Sequence, residues 1–403
     1  MSKRLTRRTK AKKQKEIVIL SVLGLMFFLT VGYATFSTTI SLHAKGNIIQ
    51  KNLYVSSNGS DVNGKGTIAE PYATIGMAYS KAKINKKSTI YIMDNITATQ
   101  TTVMDGTKDI VLTSCTKINS ETCITSEPNS IIRGDLLLDH IFLISNGNIE
   151  LNNITLDGNN VEGQKPLVFS DGNNNPSIVI NENTTIKNAL NVNQNTSLLE
   201  NVGAAITTGT DTTLTINDGM ISNNNTIYGS AIFSWGNVII NNGTIADNTA
   251  TTNGGAMYLN KRANLTINNG TIANNTATLN GGAILLNNSS LTINDGKISG
   301  NNATNHGGGV YGQSNSTINI QGGTIENNTA GANGGGIGFN SGTINMTNGF
   351  ITGNIAGANG GGISSTGTIN FNGGTISNNT AVNYSGIYNI GTCTPTDRCN
   401  AAT

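Results

Sequence analysis

The second half of this chain repeats itself. Gly-Thr-Ile returns as Gly243-Thr244-Ile245, Gly270-Thr271-Ile272, Gly323-Thr324-Ile325 and Gly374-Thr375-Ile376, with variants at Gly219-Met220-Ile221, Gly296-Lys297-Ile298 and Gly349-Phe350-Ile351. Successive starts at 219, 243, 270, 296, 323, 349 and 374 lie 24, 27, 26, 27, 26 and 25 residues apart. A near-constant period in this range marks a stack of equivalent units, each contacting its neighbours only.

The unit from Gly270 to Asp295 holds three short alternating pieces, Thr271-Ile272, Ala283-Ile284-Leu285 and Leu291-Thr292-Ile293, separated by Asn, Gly and Ser. Such runs between turn residues read as strands, so the expected coil has three strands and three bends and pairs with the next at about 4.8 Å. Helices are disfavoured, because Gly, Asn and Thr are poor helix formers and no 3.6-residue stripe is present. After the Gly-Gly or Gly-Ser bend the chain places Ile232, Met257, Ile284, Val310, Ile337, Ile363 and Ile387, an aliphatic in every coil that should stack inward. Asn274-Asn275, Asn301-Asn302, Asn327-Asn328 and Asn378-Asn379 mark the first bend. Asn tolerates the left-handed backbone of a tight bend, and stacked amides can bond along the ladder. The expected fold is therefore all-β: a single-stranded right-handed parallel β-helix of ~25-residue coils.

The phrases Gly281-Gly282-Ala283-Ile284, Gly255-Ala256 and Ile-x-x-Asn at Ile245–Asn248, Ile272–Asn275 and Ile298–Asn301 resemble the β-helical passenger repeats of polymorphic membrane proteins and related bacterial adhesins. The resemblance covers about residues 203–390, with Ile where that family has Phe, and implies a surface-exposed, adhesive solenoid. That family's outer-membrane barrel has no counterpart in the short polar tail 391–403. Residues 53–82 resemble the opening of pectin-lyase-like β-helix domains, with an Asn58-Gly59-Ser60-Asp61 turn and Pro71-Tyr72-Ala73-Thr74-Ile75 leading into a capping helix. Thr74 suits the N-cap, and Ile75, Ala78, Tyr79 and Ala82 fall on one helical face. Residues 53–390 thus read as one elongated domain, with 53–85 as the capped start and 203–390 as the regular repeats.

Ahead of it, residues 1–16 carry eight basic side chains and residues 17–36 are uncharged and largely apolar, followed by a linker at 37–52. A basic stretch before about 20 apolar residues is either a cleaved signal segment or a transmembrane helix. Both put the β-helix outside the membrane, and Gly32-Tyr33-Ala34 offers small residues for cleavage. The net charge of +2 misleads: without residues 1–16 it is about −5, so the basic run is topogenic and no nucleic-acid partner is expected. The cysteines form two close pairs, Cys115/Cys123 and Cys393/Cys399, which in an exported chain favours disulfides.

An enzyme of the pectin-lyase-like fold needs clustered acids or an acid with a base. Beyond Gly203 the acids are few, and Asp218 and Asp295 sit in Asn-Asp-Gly turns. The richer front half holds Arg133, Asp135, Asp139, His140, Glu150, Asp157 and Lys187, so a lyase or hydrolase site within 130–190 is the alternative reading. No catalytic residue, cofactor or metal site is assigned. His306 sits in a Gly-rich bend and reads as structural or exposed.

Immediately after each inward aliphatic comes Phe233, Tyr258, Leu285, Tyr311, Gly338, Ser364 or Tyr388. Alternation turns this position outward, so Phe233, Tyr258, Leu285 and Tyr311 should form a solvent-facing column, with Trp235 near one end. Aromatics are only 5% of the chain, so such a column reads as a binding surface for a glycan or a cell-surface protein. Ladder-stabilising stacking, or cover from a neighbouring loop, is the competing explanation.

Overall fold

The computed structural model describes residues 52–115, 117–119, 122–124, 127–137, 139–163, 165–191 and 204–401. The basic run, the apolar segment 17–36 and almost all of the linker lie outside the described residues. Among the described residues, no helix is long and apolar enough to cross a membrane.

The chain winds into a parallel β-solenoid of about eleven turns. Each regular coil contributes four strands to four parallel sheets, where three were expected. In one coil these are Asn237–Ile240, Thr244–Ala246, Thr249–Asn253 and Met257–Leu259, before Asn264–Ile267 starts the next. The first sheet has 13 strands, the second 11, the third 8 and the fourth 11. The third sheet escapes sequence reading because its strands shrink to pairs such as Thr276–Ala277 and Asn302–Ala303, too short to show alternation. Only a small residue faces inward there: Ala250, Ala277, Ala303, Ala330 and Ala356 are all buried.

Register holds from coil to coil. Leu265 pairs with Leu291 and Leu291 with Ile318 in the first sheet, and Ile245 with Ile272 and Ile272 with Ile298 in the second. Like residues therefore stack on like, and one continuous aliphatic core runs through the solenoid.

The corner between the second and third sheets adds a buried amide column. Asn224, Asn248, Asn275, Asn301, Asn328, Asn354 and Asn379 stack in register, and the first six are at most 1% exposed. Each Nδ2 donates to the next Oδ1 at 2.9–3.0 Å, from Asn224 to Asn379. The same Oδ1 accepts the backbone N–H of the preceding rung, as Asn301 does from Asn275 at 2.9 Å. A second Nδ2 hydrogen reaches carbonyls within the stack, such as Ile272 O at 3.0 Å from Asn301. Burying so many amides is tolerable only because every donor and acceptor is met.

Helix Ile75–Lys81 closes the front of the core with Ile75, Ala78 and Tyr79. Thr74 Oγ1 accepts from Met77 N at 3.1 Å, and the Asp61 carboxylate holds Thr74 in place at 2.7 Å. Lys108 Nζ reaches back to Tyr79 O at 2.8 Å, where a cation suits the helix's last turn. Cys115 is joined to Cys123 (Cα–Cα 5.4 Å) and Cys393 to Cys399 (6.2 Å). The latter pair ties the last first-sheet strand, Thr392–Thr394, to helix Thr396–Ala401, whose Cys399 packs on the core.

Candidate ligand-binding site on the fourth sheet

The fourth sheet brings the column together in space. Phe233 pairs with Tyr258, Tyr258 with Leu285, Leu285 with Tyr311, Tyr311 with Gly338, Gly338 with Ser364 and Ser364 with Tyr388. Its expected exposure is corrected: Phe233 is 5% and Leu285 1% exposed, while Tyr258, Tyr311 and Trp235 are half-buried. The segment entering the strand provides part of this cover. Tyr228 meets Tyr258 edge-on at 5.5 Å, His306 stacks on Tyr311 at 5.9 Å, and Ala204 closes over Phe233. Trp235 packs beside Phe233, with Lys261 Nζ 3.1 Å from the centre of its ring. Alternation sets which way a side chain leaves its strand, but not whether the chain folds back across it.

The bend glycines make that fold-back possible. Gly254, Gly281, Gly307, Gly334 and Gly360 all have φ between +63° and +70°. A Cβ at any of them would sit 2.1–2.4 Å from the carbonyl oxygen three residues on. Only glycine combines that backbone with that approach.

The cover breaks at one place. Where the column passes from Tyr311 to Gly338 and Ser364, the side chains shrink and a cavity of about 140 Å³ opens. His306, Tyr311, Asn333, Ser364 and Thr366 contribute to its lining. A second column is interrupted at the same spot. Asn253, Asn280, Asn333, Asn359 and Asn383 occupy equivalent corner positions, with Asn280 bonded to Asn253 and both Asn383 and Asn333 to Asn359. His306 stands in this series between Asn280 and Asn333, its N–H donating to Asn280 Oδ1 at 3.2 Å. Burial lowers the His306 pKa, favouring a neutral ring, and raises that of Tyr311. Together they offer a flat aromatic wall beside amide and hydroxyl groups, the lining that suits a sugar ring.

The front-half acids and bases singled out from the sequence are taken up in separate contacts. Arg133 is fully buried, and its Nη2 donates to Lys165 O at 3.0 Å and Pro166 O at 3.1 Å. His140 is 2% exposed, with Nδ1 3.0 Å from the same Pro166 O and its ring stacked 5.0 Å from Phe169. Burial pulls Arg133 down to about 10 and His140 down to about 4. Neither Arg133 nor His140 is a surface charge: both are buried and meet the Pro166 carbonyl. Glu150 bonds Lys87 at 2.7 Å, Asp157 lies 3.5 Å from Lys187, and Asp135 accepts from Asn159 at 3.2 Å. Asp139 is half-exposed and lies 3.4 Å from His140 Nε2. Among the described residues no group of three or more His, Cys, Asp or Glu is placed to hold a metal ion.

No protein-family model, curated protein or solved structure matches this chain.

Proposed function

We propose that this chain is a non-enzymatic, adhesin-like β-helix of a bacterial cell surface that holds a glycan in the Tyr311 notch. The right-handed, pectin-lyase-like character of the coil and the export role of residues 17–36 belong to the same reading. The observation that carries it is the coincidence of two departures from the repeat. The outward column empties at Gly338 and Ser364, and the corner amide series yields to His306, around one cavity. Gly338 admits the Gly307 backbone beside His306, so the two departures are packed on one another at the rim of the cavity. A rigid, low-charge solenoid then serves as the arm that presents the notch.

A glycan array of the full chain in detergent, beside Tyr311→Ala and Ser364→Leu, tests this. Ser364→Leu refills the gap with the side chain found at Leu285. The expectation is specific binding by the parent and at least tenfold weaker binding by both variants, with melting temperatures nearly unchanged. Glycan cleavage during incubation would sink the non-enzymatic reading. Absence of binding by the parent would overturn the glycan assignment and favour a protein ligand.

A further inference from the structure

A second cavity lies on another corner, between the first and second sheets, and its chemistry differs from that of the notch. It is an open cleft of about 530 Å³ lined by Thr113, Asn152, Asn153, Asn181, Glu182 and Asn217, with Asp218 at its edge. The cleft coincides with a step in the solenoid wall. In one coil only Asn153 separates strand Asn148–Asn152 from strand Ile154–Asp157. In the next coil, residues 181–184 lie between Ser177–Ile180 and Thr185–Lys187.

An exposed amide ladder ends in this cleft. Asn294 donates to Asn268, Asn268 to Asn241, Asn241 to Asn217 and Asn217 to Asn181 at 2.7–2.8 Å, and Asn181 donates to Asn152 at 2.5 Å. Every rung gives Nδ2–H to the Oδ1 of the rung before it, so the terminal rung, Asn152, presents its Nδ2 toward a place where another carbonyl belongs. The residue paired with Asn152 in the preceding coil is Thr113, which has no amide to continue the series. Beside it, Asn153 is 9% exposed, yet its Nδ2 is buried with no hydrogen-bond partner. That unmet donor is closed off from solvent, a cost the corner carries on its own.

We propose that the cleft binds an acetamido sugar, whose amide takes the place of the missing rung. The acetamido carbonyl accepts from Asn152 Nδ2. The acetamido N–H and ring hydroxyls find the carboxylates of Glu182 and Asp218 and the amides of Asn181 and Asn217. A cation does not suit the Asn152 amide donor, and a carboxylate ligand does not suit two neighbouring acids. A neutral ligand carrying both a carbonyl and an N–H satisfies both halves of the lining. The cleft shares no lining residue with the Tyr311 notch.

Calorimetry on the full chain with N,N′-diacetylchitobiose, cellobiose and a soluble Asn-rich peptide as probes tests it. Asn152→Asp keeps an oxygen for Asn181 but turns the donor into a charged acceptor, so Asn152→Ala, which removes the amide without adding charge and must also weaken binding at least tenfold, is run beside it; Glu182→Gln weakens the acceptor side. Asn268→Ala, on the same ladder outside the cleft, is the folding control. Saturable binding of the acetylated disaccharide, at least tenfold tighter than cellobiose and at least tenfold weakened by Asn152→Asp but not by Asn268→Ala, is expected. Equal affinity for the two sugars, affinity unchanged in Asn152→Asp, no saturation up to about 10 mM, or preference for the peptide would each overturn the proposal.

Discussion

The two halves of the solenoid solve one problem differently. From residue 264 onward, first-sheet strands begin at 264, 290, 316, 342 and 368, and the polar interior of these coils repeats the Asn rung with the same bonds each time. In the front half they begin at 52, 87, 109, 148 and 177, and the buried polar groups include Lys108, Arg133 and His140, each bound to backbone carbonyls. A carboxamide carries both donor and acceptor, so it can stack on copies of itself indefinitely; Lys108 and Arg133 only donate and cannot stack on their own kind, so they take backbone carbonyls instead, as the neutral His140 ring also does. Regular coils can therefore bury amides in register, whereas buried cations require irregular loops shaped around them.

The largest expected effect comes from breaking the buried amide column. Asn301→Ala strips Asn275 of the acceptor for both its N–H and its Nδ2, and leaves Ile272 O, Ser299 O and Asn328 Oδ1 without that donor. Several buried groups left unmet should cost about 3–5 kcal/mol, seen as a large drop in denaturant midpoint. A loss below about 1 kcal/mol would mean water or repacking replaces the rung.

The front half should be the acid-sensitive one. Burial holds His140 near 4, below its ordinary 6.5, so the unfolded chain takes up that proton first. The sign follows: stability from this group is full above about pH 6.5 and is lost progressively as pH falls toward 4, by roughly 3 kcal/mol in all. Hydrogen exchange at pH 7 and pH 4.5 should show opening of residues 129–170 at the lower pH, with little change at 264–390. His140→Phe should flatten that dependence. Uniform acid loosening along the solenoid would sink the assignment to His140.

Much of this architecture was legible as text because each coil repeats the last. Gly-Thr-Ile gave the period, and one aliphatic at a fixed offset gave the inward stack. Adjacent asparagines were not separable in the same way. Asn274 is exposed at φ +55° while Asn275 is buried, although both look like turn residues in sequence. The cover over Phe233 and Leu285 was equally hidden, since it depends on how far a glycine bend folds back. The notch did leave a trace: His306 stands at the offset held by Asn280 and Asn333, and Gly338 follows four bulky residues in its column. The cleft at Asn152 left less, because it arises from a difference in corner length between two irregular coils.

The smallest effect sharpens the contrast most. Asn268 sits in the exposed ladder, donating to Asn241 and accepting from Asn294, both at 2.7 Å. These bonds are at least as short as those of Asn301, but the groups that Asn268→Ala releases can turn to water. The expected loss is therefore at most about 0.5 kcal/mol, against several for Asn301→Ala in the neighbouring coil. Residue type and rung-to-rung geometry are matched between the two, while the buried rung meets more groups and none of them can turn to water, so bond number and desolvation act together. If the exposed rung proved as costly as the buried one, cooperative polarisation along the amide chain would have to dominate, and the cost of leaving a buried group unmet would no longer explain why the inner column is maintained coil after coil.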